Sequence, residues 1–132
     1  MKVLHIAKSF KYGGAANAAW KIHLAILSQK KIDSHCMSQN EYRLIGKGKV
    51  VSKIYSVMGW LHQKISNLPL ILIKDRKSRS CNLLPTNWHK FINNSDYDVV
   101  ILHWVGSGGI SVGDLLKIKK PIIWVLHDMW LF

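Results

Sequence analysis

Apolar and polar positions fall into distinct blocks along this chain of 132 residues. Val3 to Ala7 is apolar except for His5 and reads as a short strand. Lys8 to Gly14 interrupts it as a loop, and the Gly13-Gly14 pair permits positive φ or a close backbone approach. From Ala15 to about Gln29 the period turns helical. Asn17, Lys21 and Ser28 share a narrow polar stripe there, and the wide apolar girth left over is expected to pack on a sheet. Asp33 to Met37 is a candidate second strand.

The middle has a different texture. Asn40 to Lys49 is polar and punctuated by glycine, a loop by composition. In Val50 to Asn67, Ile54, Met58, Leu61 and Ile65 recur at helical spacing, and Pro69 closes the segment. Asn82 to Asn94 reads as a loop with a short helix around Trp88 to Ile92. Order returns at Val99 to Leu102, a β-rich apolar run of the kind buried on both faces of a sheet. A glycine-rich turn, a short helix over Val112 to Ile118 and a further buried strand in PIIWVLH follow. Strand, helix and strand at this spacing predict a βαβ unit, hence an α/β fold with a parallel, Rossmann-like sheet flanked by helices.

Composition narrows the picture. A hydrophobic content of 48% is that of a folded chain, and the length allows one domain at most. The chain ends on Met129, Trp130, Leu131 and Phe132, an apolar stretch that a natural domain would cover. Residues 1–132 are therefore expected to be an incomplete domain. Lys and Arg number 19 against 7 Asp and Glu, a field that attracts phosphates or anionic lipid surfaces. Lys53, Lys64, Lys74, Arg76, Lys77 and Arg79 flank apolar Ile54, Trp60, Leu61 and Leu70 to Ile73. That segment reads either as a patch that lies on an anionic membrane or as a solvated cationic face. No nucleic-acid-binding motif accompanies the charge. No apolar run approaches the ~20 residues that span a bilayer, and the start lacks a signal-peptide core, so a soluble chain is expected. Cys36 and Cys81 lack CxxC spacing and are expected to be reduced thiols.

Open parallel sheets bind ligands at the carboxyl ends of their strands. Three candidates fall there: Gly13-Gly14, His103-Trp104 and His127-Asp128. The glycine pair precedes a helix N-terminus, where free N–H groups favour a phosphate; the alternative is a tight turn that lets the alanine-rich helix approach the sheet. His127 and Asp128 suit an acid/base pair or a grip on a sugar hydroxyl, and equally a satisfied structural pair. His103 has the same two readings, and His5, inside a strand, reads as structural. No histidine pairs with a cysteine at zinc-ligand spacing, so no metal is expected. A dinucleotide-binding Rossmann domain is disfavoured by the missing third glycine and the lack of an acidic residue near position 37.

Three blocks in order, VLHIAKSFKYGGAANAAWKIHLAIL, DYDVVILHWVGSGGIS and KKPIIWVLHDMWLF, resemble the N-terminal domain of family 4 GT-B glycosyltransferases that build bacterial capsule, exopolysaccharide or lipopolysaccharide. The resemblance covers both ends of the chain and little of the middle. It implies transfer of a sugar, with retention, from a nucleotide-sugar to a glycan or lipid-linked acceptor, with no catalytic metal or other cofactor. Gly13 and Gly14 would then meet the donor diphosphate, His127 the donor sugar with Asp128 beside it, and His103 and Trp104 the acceptor side. It further implies a cytoplasmic protein, at or near the inner face of the plasma membrane. The family's C-terminal donor-binding domain has no counterpart in residues 1–132, so this chain alone is expected to transfer no sugar.

Overall fold

The β-rich run after Met1 becomes the strand around which the other elements assemble. In the computed structural model, which describes residues 1–39, 41, 60–62, 64, 65, 68, 82–106 and 108–127, β1 (Lys2–Ala7) is an inner strand. It pairs with β2 (Asp33–Ser38) on one side and β3 (Val99–Leu102) on the other. β4 (Ile122–Trp124) adds beyond β3, giving the order β2-β1-β3-β4 with every pairing parallel. Helices α1 (Gly14–Leu27), α2 (Trp88–Asn94) and α3 (Val112–Leu115) occupy the connections, and the fold is α/β and Rossmann-like. The helix expected over Val50 to Asn67 lies mostly outside the described residues, although Trp60, Leu61, His62, Lys64 and Ile65 are helical.

The period of two along a strand divides the sheet into two chemically different faces. Leu4, Ile6, Val100 and Leu102 face α2, where Trp88 and Ile92 join them with Val105 and Ile110 in one buried core. Each such side chain contributes roughly 1.5–3 kcal/mol on burial. Val3, His5, Ala7, Ile101 and His103 belong to the opposite face and are buried as well. α1 covers that face with Ala16, Ala19 and His23.

Two expectations are corrected here. β4 is not buried on both faces: Ile122 is 37% exposed and Ile123 53%. It is the edge strand next to β3, and α1 packs on β1 and β2 instead. Nor does the sheet take up the apolar girth of α1, because a helix meets a sheet along one stripe. Trp20, Leu24 and Leu27 remain 44%, 48% and 40% exposed.

Asp114 ties the loops on the α2 side together. It is buried at the start of α3 and accepts from the Thr86 amide (2.6 Å), the Thr86 hydroxyl (2.6 Å), the Asn87 amide (3.1 Å) and the Ser111 hydroxyl (2.7 Å). His89 on α2 pairs with its other oxygen. Burial opposes the charge, but the hydrogen bonds from Thr86, His89 and Ser111 outweigh it and hold the carboxyl well below the usual range. The turn that leads to this cluster is shaped by Gly109, where a Cβ would lie 2.2 Å from the Val105 carbonyl oxygen. Trp88 fastens the same turn by donating its indole N–H to Gly109 at 3.1 Å. Asp114→Ala leaves several buried donors without an acceptor and is expected to cost roughly 3–5 kcal/mol, read as a drop in the urea midpoint.

Candidate functional site

Parallel pairing brings the carboxyl ends of β1, β3 and β4 to one rim. Backbone bonds continue past the strands: His103 N–H donates to Ile6 at 2.9 Å, Lys8 N–H to Trp104 at 3.1 Å and Val125 N–H to Leu102 at 2.8 Å. Between the start of α1 and Trp104 lies a cleft of about 220 Å³ lined by Lys8, Ser9, Tyr12, Ala15, Ala16 and Trp104, with Ala7 at its floor. The Lys8 ammonium stands 5.1 Å from the Trp104 ring centroid, a cation–π distance that places positive charge at the opening. Lys8 and Tyr12 are site residues that the sequence did not single out. Their signal was position alone, immediately after a strand and immediately before the glycine pair.

The two glycines differ. Gly13, the N-cap of α1, has φ 96° and ψ 162°, a region essentially restricted to glycine. Gly14 has no such constraint, and a Cβ there would meet nothing within 4 Å. Close packing of α1 on the sheet therefore explains Ala16 and Ala19, both buried, but not Gly14.

The histidines form the least expected feature. His5 Nδ1 lies 2.9 Å from His103 Nε2, and His103 Nδ1 lies 3.2 Å from His127 Nε2. The rings stack, with centroids 5.3 Å and 5.5 Å apart. Strand register explains the geometry. His5 pairs with Ile101, and Ile101 with Ile123. His103 lies two residues beyond Ile101 and His127 four beyond Ile123, so the three imidazoles climb one face diagonally towards the rim. His23 from α1 meets His5 edge to face at 5.5 Å and is fixed by Ser34 at 2.8 Å. Phe10 of the glycine loop meets His103 at 6.4 Å.

Of the predicted residues, then, Gly13, Gly14, Trp104 and His127 stand on one rim, with β3 between β1 and β4. His103 is fully buried, so of its pair only Trp104 lines the cleft, and His127 joins the rim through His103. Asp128, Lys74, Arg76, Lys77, Arg79 and Cys81 lie outside the described residues. An acidic residue does stand just past β2: Glu41, whose carboxylate accepts from the Ser38 amide at 2.6 Å. Burial, with Glu41 nearby, pushes the Cys36 thiol up to about 12, so it is not a nucleophile at neutral pH. Among the described residues, no group of three His, Cys, Asp or Glu is placed to hold a metal ion. No helix among them is long and apolar enough to cross a membrane.

The fold class is thus a parallel α/β sheet with a small open cleft at its carboxyl rim. No protein-family model, curated protein or solved structure matches the chain.

Burial pushes both His5 and His103 down from 6.5 to about 4, with neighbouring imidazoles adding to the effect. Both are neutral in the fold at neutral pH. Between pH 6.5 and 4 the unfolded chain binds protons that the folded chain refuses, so stability falls as pH falls through this window. The loss is about 1.4 kcal/mol per pH unit for each histidine at most. Urea midpoints measured from neutral to mildly acid pH are expected to decline accordingly, and to decline less steeply in His5→Leu.

Proposed function

We propose that this chain contributes the acceptor-side wall of a retaining, GT-B-type glycosyltransferase that moves a sugar from a nucleotide-sugar to a glycan or lipid-linked acceptor in cell-surface polysaccharide synthesis. The three sequence blocks that resemble family 4 glycosyltransferases motivate this reading. The observation that carries it is the open space at Gly14 on the first turn of α1, beside a cleft that holds the Lys8 ammonium. The exposed Gly13-Gly14 backbone leaves a ligand room to approach the first turn of α1 closely. The N-terminus of α1 offers N–H groups to the donor diphosphate, and Lys8 adds charge. His127 reaches a sugar hydroxyl from the same rim, and Trp104 gives the acceptor an apolar wall. A cleft of about 220 Å³ is below the usual size of a ligand pocket, which suits one wall of a larger crevice. In this reading the protein works in the cytoplasm at the inner membrane face, where Lys74, Arg76, Lys77 and Arg79 favour anionic lipid.

The test is a titration with uridine diphosphate and with a uridine-diphosphate sugar, followed through the amide resonances of Gly13 and Gly14. Shifts confined to these amides, Lys8 and His127 are expected. Gly14→Ala should leave stability unchanged or raise it by up to ~1 kcal/mol, because alanine favours a helix. It should nonetheless weaken diphosphate binding by roughly fivefold, the equivalent of one lost hydrogen bond. Equal affinity in wild type and variant, or no shift at these amides, would refute the proposal.

A further inference from the structure

The three stacked imidazoles are joined in one direction only. Each contact links the Nδ1 of the inner ring to the Nε2 of the next, from His5 to His103 to His127. A neutral imidazole carries one proton, on Nδ1 or on Nε2, and the other nitrogen is an acceptor. A hydrogen bond between two ring nitrogens holds exactly one proton. If His5 carries its proton on Nδ1, His103 must accept at Nε2 and donate from Nδ1, and His127 must accept at Nε2. If His127 donates from Nε2, the same logic runs inward and every ring is protonated on Nε2. A mixed row would set two protons, or two lone pairs, against each other inside the fold.

We propose that His103 and His5 are positioning residues that impose one shared tautomer on the row, so that His127 is held in a single tautomer and meets a ligand through Nδ1 alone. Three observations carry this. His103 spends both nitrogens on the row and is fully buried, which excludes water as an alternative partner. His5 is fully buried as well, and its Nε2 has no hydrogen-bond partner among the described residues, so the inner end offers no route for a proton to leave or arrive. The remaining neighbours do not compete: His23 bonds to Ser34 and meets His5 only edge to face, and Phe10 supplies no polar atom to His103. At the outer end, His127 is partly exposed, and Nε2 is already engaged. Among the described residues nothing engages its Nδ1, which is the atom left for a ligand oxygen, and one fixed tautomer gives that contact a fixed polarity. The bearing on sugar hydroxyls rests on the function proposed above, whereas the shared tautomer does not.

The experiment is a two-bond nitrogen–proton correlation spectrum of the uniformly ¹⁵N-labelled chain at pH 8.5, without ligand. His5, His103 and His127 are expected to show the widely separated nitrogen shifts of a single tautomer, and the same tautomer in all three. In His103→Phe, which frees Nε2 of His127, the His127 shifts should move to the averaged values of an imidazole in water. Averaged shifts for His127 in the wild type, a mixed row, or a single His127 tautomer that persists in His103→Phe would overturn the proposal. The wild-type spectrum decides the matter by itself if the variant does not fold. A row that behaves as expected in a chain that binds no uridine diphosphate refutes the glycosyltransferase reading and supports this one.

Discussion

Hydrogen bonds between β1 and β3 run in parallel register from Val3–Val99 to Ile6–Leu102, and they do not stop at the strand ends. Ile6 accepts from His103 and Trp104 accepts from Lys8, so the first residues of both loops remain tied together. Because the two strands point the same way, the loop after each opens on the same rim. The cleft, the start of α1 and the outer imidazole all owe their proximity to this pairing. An antiparallel arrangement would place the glycine turn and His103 at opposite ends of the sheet.

The two faces of that sheet are held by different means. On the α2 side, apolar contacts among Leu4, Ile6, Val100, Leu102, Trp88 and Ile92 exclude water, and Asp114 gathers the loops through charge-assisted hydrogen bonds. On the α1 side, His5 within β1 and His103 just past β3 are buried where an ordinary sheet would place valine or isoleucine, and His127 continues the row beyond β4. The neutral imidazoles of His5 and His103 tolerate that position because they hydrogen-bond to each other, and the small Ala16 and Ala19 are buried on the covering helix. This face loses stability on acidification, because His5 and His103 are held uncharged by burial.

Much of the fold was legible in the sequence. The apolar runs at Val3 to Ala7 and Val99 to Leu102 became β1 and β3, and the helical period after Gly13 became α1. Both signals survive in a single sequence because a strand buried on both faces and a helix that packs on a sheet each impose a local pattern. The apolar run in PIIWVLH misled for the same reason. It reports that a strand forms, but not whether β4 lies inside the sheet or at its edge. The girth of α1 misled similarly, because apolar residues are compatible with burial without requiring it.

Residue type, then, determined which segments become strands and helices, where glycine must break them, and that the glycine pair precedes a helix. Only the tertiary structure decided that Gly13 is needed for the backbone while Gly14 is not. It also decided that His5, His103 and His127, far apart in the chain, form one row. The reason is register: a shift of one residue in either strand pairing would turn one imidazole to the opposite face, and the hydrogen bonds that set that register are made between segments whose sequences carry no record of each other.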